Sequence, residues 1–296
     1  MRVLLCVKME GVSQITSYRE LWSAFPEFCE TGRPAATADT LAAINGLRAG
    51  GATSITVCQL DGAMPEPVID LEALPDSAGW APKEEVFRYA VLQQEFDALF
   101  MLGWQARCGT PDAFMSHTEG INLRVAIDGK PVTDVHINAW RTRLPLLGVV
   151  GDAALETQLD GALEGVPFLA VKKSSSRTEA TPLYSEEKSS AAIEAFASWC
   201  VHNAAKRSPL PIPERFVLSM SMPPRIADLV DGEHELRRTS PAIVAKSVTD
   251  WWYEAEPAIA AAMQASFSPL RNASDEAERR RVLEEWATMR EPEWLT

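Results

Sequence analysis

Long apolar runs are missing from this 296-residue chain, and no segment approaches the roughly 20 consecutive apolar residues that span a bilayer. Val3–Val7 is only strand-length, too short for the core of a secretion signal and without a cleavage pattern behind it, so the expectation is a cytoplasmic protein with no membrane partner. Cysteine is sparse. Cys6, Cys29, Cys58, Cys108 and Cys200 are odd in number and lack CxxC spacing, which argues against a disulfide framework and for reduced, mostly buried thiols. Positive charge is in deficit, with 28 Lys and Arg against 41 Asp and Glu. A net charge of −13 repels nucleic acid and anionic membrane alike, so neither is expected as a partner. Also absent are G-x-S-x-G, G-x-G-x-x-G and H-E-x-x-H motifs, internal repeats and low-complexity tracts.

What is present is an alternation of strand-like and helix-like segments. Val3–Val7 and Ser54–Cys58 are short, β-branched apolar runs. Between them, residues 37–49 carry Leu41, Ile44 and Leu47 at helical spacing and stop at Gly50-Gly51. Residues 65–83 are Pro- and Glu-rich and predict a surface loop with a short helix. Ala98–Leu102 and Leu146–Val150 predict two further strands. The Asp128-Gly129 pair between alternating residues predicts an antiparallel hairpin, and a short helix is expected around Ala139–Arg143.

A strand-like run at Val166–Val171 precedes a helix over about 185–205. Beyond the proline-rich stretch Ser208–Pro213, a strand is expected at Arg215–Met222, then helices over Ile243–Ala265 and Asp275–Met289. The fold class is therefore α/β: a mostly parallel sheet flanked by helices, with an antiparallel excursion and a smaller C-terminal α+β part. The expected division is a core at 1–165, a second part at 166–265 and a helical tail at 266–296.

Polar residues collect where the strands end. Lys8 and Glu10, two apart after the first strand, share one side of an extended chain. An exposed ion pair is the plain alternative. Asp61 follows the second strand, where an Asp-Gly pair is most often a turn. Gly103-Trp-Gln-Ala-Arg-Cys-Gly-Thr110 leaves the third strand and leads to Met115-Ser-His117. Read as extended, the segment from Pro131 puts Asp134 and His136 on one face. Lys172-Lys173-Ser-Ser-Ser-Arg177 invites a phosphate-binding reading but lacks the glycines of a P-loop. Trp251-Trp252-Tyr253 suits core or subunit packing better than ligand stacking.

The Gly103–Thr110 block with its Met-Ser-His sequel resembles the signature of the DppA-like D-aminopeptidases, a family of zinc-dependent peptidases. Their loop reads Gly-Tyr-His-Ala-Arg-Ala-Gly-Thr and then Met-Ser-His. The resemblance continues at Glu10-Gly11, at Pro131–Ala139 and at Gly151-Asp152. It implies a two-part α/β subunit, a ring-shaped homo-oligomer, zinc in the family, and hydrolysis of short peptides with an N-terminal D-residue. It also implies roles: His117 matches the catalytic histidine, and Arg107 matches the loop arginine.

Five ligand positions of the family are altered or retained as follows. Lys8 replaces an aspartate, Asp61 a histidine, Gln105 a histidine and Asp134 a glutamate, while Glu10 is kept. Lys8 among Glu10, Asp61 and Asp134 would satisfy those carboxylates in the place of a metal. The site expectation is therefore His117, Lys8 and Glu10 as catalytic residues and Arg107 and Gln105 as substrate-binding residues. If a divalent ion binds, Glu10, Asp61 and Asp134 are its ligands, with His136 a further candidate; the expectation is none or one such ion. The expected activity is that of a diverged hydrolase or amide-bond enzyme acting on a small peptide or amide. The alternatives are a catalytically inactive binding or scaffold protein and a conventional zinc aminopeptidase.

Overall fold

The computed structural model describes residues 1–60, 66–86, 95–120, 123–211, 216–221, 242–245, 260, 263–264 and 267–289. Its frame is a seven-stranded sheet in the order β3-β2-β1-β4-β7-β8-β9. The strands are β1 (Arg2–Val7), β2 (Ser54–Gln59), β3 (Ala78–Trp80), β4 (Ala98–Trp104), β7 (Leu146–Asp152), β8 (Phe168–Ser174) and β9 (Ala180–Pro182). All neighbours run parallel except β9, which pairs antiparallel with β8. The sheet continues past residue 165 without a break. The edge strand β3 falls inside the stretch expected as loop; three residues without a strong apolar alternation carry no readable period.

A second, antiparallel sheet runs β11-β10-β5-β6. Its members are β5 (Arg124–Ile127), β6 (Lys130–Pro131), β10 (Phe216–Ser221) and β11 (Ala242–Ala245). The Asp128-Gly129 turn joins β5 to β6, with both residues at positive φ, 50° and 77°. β11 corrects the expected helix from Ile243: its four apolar residues pair with β10, and sheet pairing overrides a weak helical pattern. The remainder of that expected helix, including Trp251–Tyr253, lies almost wholly outside the described residues.

Helices cover both faces of the large sheet. They are α1 (Arg33–Ala49), α2 (Lys83–Val86), α3 (Asp134–Thr142), α4 (Ala153–Glu156), α5 (Glu186–His202), α6 (Ser268–Arg271) and α7 (Glu276–Thr288). Strand alternation divides β1: Val3, Leu5, Val7 and Met9 pack in one core with Ile44, Leu47, Ile193 and Leu283. Leu4 and Cys6 face the other core, with Val135, Trp140 and the β5 residues Val125 and Ile127. Buried on both sides, the central strands read as continuous apolar runs rather than alternations. Lys8 continues the parity of Leu4 and Cys6, so the first polar residue past β1 emerges on the α3 side.

Candidate active site

β1 and β4 are neighbours, and their carboxyl ends open into the site. Open parallel sheets assemble ligand sites at this edge. The two loops run unusually close together: Lys8 N–H donates to Leu102 O at 2.9 Å, and Gly11 N–H donates to Gly103 O at 2.8 Å. Gly103 permits this approach, because at φ +80° it accepts a conformation other residues resist, and a Cβ there would overlap the Lys8 carbonyl.

The Lys8 ammonium is 4% exposed as a residue and lies 2.8 Å from Asp134 Oδ2 and 3.0 Å from His117 Nε2. Glu10 Oε2 is 4.0 Å away, and the Trp104 ring centroid 5.5 Å. Asp134 is saturated: Oδ2 also accepts from Gln105 Nε2 at 2.8 Å, and Oδ1 from Glu119 N–H at 2.6 Å. Burial works to raise the Asp134 pKa, but the Lys8 charge and these donors hold it below the usual carboxylate value.

The tautomer of His117 follows from its partners. Met115 O, 2.7 Å from Nδ1, can only accept, so Nδ1 carries hydrogen and Nε2 offers its lone pair to Lys8. Burial, reinforced by the Lys8 charge, lowers the His117 pKa against the opposing pull of Glu10 and Asp134. A neutral imidazole at pH 7 is the result. Glu10 Oε1 and Asp134 Oδ2 stand 3.7 and 3.9 Å from Nε2, ready to stabilise the ring once it takes a proton.

Asp134 reaches the cluster from the first turn of α3, not from an extended segment. Thr133 caps the helix, its hydroxyl accepting from His136 N–H, and His136 Nδ1 accepts from Thr133 N–H in return. The expected pairing of His136 with Asp134 is thereby corrected. In a helix, residues two apart point in different directions; His136 caps the helix and packs on Trp140 with ring centroids 5.3 Å apart. Burial pushes its pKa down to about 4.

The helix brings in three residues that an extended reading hides. Asn138 and Arg141 lie four and seven positions after Asp134, on the same face. Arg141 donates to Asn138 Oδ1 at 2.7 Å and to Glu119 Oε2 at 3.1 Å. Glu119 itself sits at φ 60°, a strained backbone held by its bond to Asp134. A 3.6-residue period applied from Asp134 would have found Asn138 and Arg141; nothing in the sequence marks Glu119.

These side chains, together with Lys8, His117 and Asp134, line a cavity of about 20 Å³ at the strand ends. Gln105 belongs to the cluster but is buried beneath it. Arg107 is not among the described residues that line the cavity; its N–H donates to Gln158 Oε1 at 2.8 Å and its carbonyl accepts from Thr110, so it braces the loop. Asp61 lies outside the described residues.

A two-zinc centre needs several lone-pair donors converging on cations. Lys8 and Gln105 instead direct N–H groups into the cluster, and the Lys8 ammonium occupies the point between Asp134 and His117. No trio of His, Cys, Asp or Glu is arranged to hold a metal among the described residues. The described donor set does not fit two zinc ions.

Residues 1–256 match the model of the family described as D-aminopeptidase. The chain belongs to the D-aminopeptidase family. Its fold is that of the solved Zn-dependent D-aminopeptidase DppA from Bacillus subtilis, a self-compartmentalizing protease. The TM-score is 0.72 at 22% sequence identity, covering 98% of this chain and 99% of that one. No curated protein matches the chain. Within this D-aminopeptidase family member, the cluster lies at the carboxyl ends of β1 and β4, with the Lys8 ammonium between Asp134 and His117.

Proposed function

We propose that the chain is a diverged D-aminopeptidase-like hydrolase that cleaves a small peptide or amide in a metal-poor site. The observation that carries this reading is the Lys8 ammonium, which lines the cavity and lies between Asp134 and His117. A buried positive charge there offers the developing oxyanion of an amide carbonyl what a Lewis acid offers elsewhere. As the carbonyl oxygen takes over the ammonium hydrogen now aimed at His117, Nε2 keeps only the longer contact to Gln105 Nε2 at 3.2 Å. The neutral imidazole then accepts a proton from the attacking water, steadied by Glu10 and Asp134, and returns it to the departing amine. Water adds across the C–N bond, giving an acid and an amine, and the groups end in their starting protonation states.

A second reading is a catalytically silent member that binds a small ligand or acts as a scaffold. It is favoured by the closeness of the cavity and by the saturation of Asp134. One experiment separates the readings: amine release from D- and L-amino-acid amides by the purified protein, with elemental analysis of the same sample. The expected outcome is turnover with fewer than two zinc ions per chain. No turnover, with or without added zinc, leaves the silent binder; two tightly bound zincs restore the conventional zinc aminopeptidase. We further propose a cytoplasmic homo-oligomer larger than a dimer, supported by the self-compartmentalizing character of the DppA structure. Light scattering that reports a mass near 32.5 kDa would end that part of the proposal.

A further inference from the structure

The hydrogen on His117 Nδ1 is held by the Met115 carbonyl, two residues earlier in the same loop, and that carbonyl has to face the ring. The loop adopts an unfavourable shape to achieve this. Met115 is buried and sits at φ 43°, in the left-handed region that residues with a side chain seldom enter. A backbone of that kind persists where its surroundings over-determine it.

Arg177 supplies that hold. β8 runs parallel to its neighbour β7 and β9 folds back antiparallel, so the turn between them, at 175–179, lies at the carboxyl edge of the sheet and meets the loop after β4. The turn is itself braced: Ser176 Oγ accepts from the N–H groups of Thr178 and Glu179 at 3.2 and 3.1 Å. From it Arg177 grips the loop twice. Its carbonyl accepts from Met115 N–H at 2.8 Å, and its Nη1 donates to Ser116 O at 2.9 Å. These contacts fix the peptide units on either side of the Met115 carbonyl, and so fix where that carbonyl points. Arg177 Nε donates more weakly to Trp286 O of α7, at 3.5 Å.

The other tautomer of His117 has acceptors of its own. Glu10 Oε1 and Asp134 Oδ2, at 3.7 and 3.9 Å from Nε2, would take a hydrogen there after a small shift. The carboxylates thus favour hydrogen on Nε2, and Met115 O favours it on Nδ1. A ring with its hydrogen on Nε2 has no lone pair for the attacking water.

We propose that Arg177 is the positioning residue of the catalytic loop: by holding Met115 and Ser116 it keeps the Met115 carbonyl on His117 Nδ1 and leaves the Nε2 lone pair to act as the base. The inference rests on the reading of His117 as the base of the proposed hydrolysis. The serine-rich turn whose basic residues invite a phosphate-binding reading is, on this account, support for that loop.

The test uses the full chain with isotope-labelled histidine, in which NMR of the ring nitrogens tells a hydrogen on Nδ1 from one on Nε2. The chain has four histidines, and His136, fixed by Thr133 and packed on Trp140, is an internal control. The variant is Arg177→Ala. A cavity of about 340 Å³ lies beside Arg177, so water can replace the truncated side chain and the fold is expected to survive. Wild-type His117 should carry its hydrogen on Nδ1. In Arg177→Ala the form with hydrogen on Nε2 should appear, with His136 unchanged. On amino-acid amides kcat should fall by about tenfold or more while KM stays within about twofold. Arg177→Lys, which keeps a single donor for Ser116 O, should be intermediate in both measurements. Should Arg177→Ala fail to fold, Arg177→Gln, polar but too short to reach Ser116 O, takes its place with the same expected outcome. A wild-type ring with hydrogen on Nε2, or a folded variant whose His117 keeps the wild-type tautomer, overturns the proposal. So does an active wild type whose folded variant has kcat within about twofold of it. If the wild type cleaves nothing, the hydrolase reading falls, and the ring spectra alone decide whether Arg177 sets the tautomer.

Discussion

Two buried lysines hold the same pair of loops in opposite ways. Lys8 lies beside Asp134, with Glu10 and His117 close by, and its ammonium faces the cavity. Lys172, in the middle of β8, has no exposed surface; its Nζ donates to Ile15 O at 2.8 Å and lies 4.2 Å from the centroid of Phe114. Ile15 belongs to the loop after β1 and Phe114 to the loop after β4, so Lys172 fastens both from behind. Ser174 assists: its hydroxyl accepts from Phe114 N–H at 2.7 Å and donates to Asp152. Burial lowers the Lys172 pKa to about 8, despite the pull of Asp152, Glu10 and Asp39 at longer range. An ammonium in contact with a carboxylate is fixed as a charge at the point of reaction. One that leans on a carbonyl and a ring is a fastener whose charge is only weakly held.

The sharpest way to break this comparison is Lys8→Ala. It strands Asp134 and Glu10 as uncompensated buried carboxylates, an expected loss of roughly 3–5 kcal/mol in chemical denaturation. A Lys8→Ala protein as stable as the wild type would show that the cluster does not depend on the ammonium. In the same vein, Lys8→Asp and Gln105→His replace N–H donors by lone pairs, and with Asp61→His added the triple variant should gain stoichiometric zinc by elemental analysis. A triple variant that stays free of zinc would contradict the view that Lys8 stands in for a cation.

Lys172→Met should instead reveal itself in pH dependence. The native pKa is about 8 and the ordinary value 10.5, so between them the unfolded chain binds more protons and wild-type stability rises with pH. Relative to Lys172→Met, the wild type should gain about 3 kcal/mol from pH 8 to 10.5 in urea melts. A flat difference would mean that Lys172 keeps its proton and belongs with Lys8 after all.

Asp39 gives a somewhat smaller effect of opposite sign. It accepts from Ser13 N–H and hydroxyl, both at 2.8 Å, yet burial raises its pKa from 3.8 to about 6. A raised carboxylate binds its proton in the native state first, so its contribution is present at low pH and is lost as pH rises through about 6. Asp39→Asn should therefore become more stable relative to wild type, by somewhat under about 3 kcal/mol, between pH 4 and 6. His136 runs the other way over much of the same window, because its lowered pKa makes stability rise with pH from about 4 to 6.5. The two partly cancel in the wild type, which is why the single variant is the informative measurement.

Much of this was legible in residue order. The buried strands β1, β2, β4 and β7 announce themselves as short apolar runs, and each is followed by the polar or glycine-containing turn that a strand end requires. The sequence alone also determined that Lys8, Glu10, Gln105 and His117 sit at strand ends, since period-two alternation and the Gly103 turn are local. Only the tertiary structure decided that Asp134 joins them from a capped helix, that Glu119 and Arg141 pair beside it, and that Phe267 lines the cavity from beyond the family segment. Those contacts join residues 15 to more than 200 positions apart, and no local period records which distant carboxylate an ammonium will meet. They are settled by which arrangement leaves a buried charge partnered and a sheet edge covered, and that is a property of the packed chain.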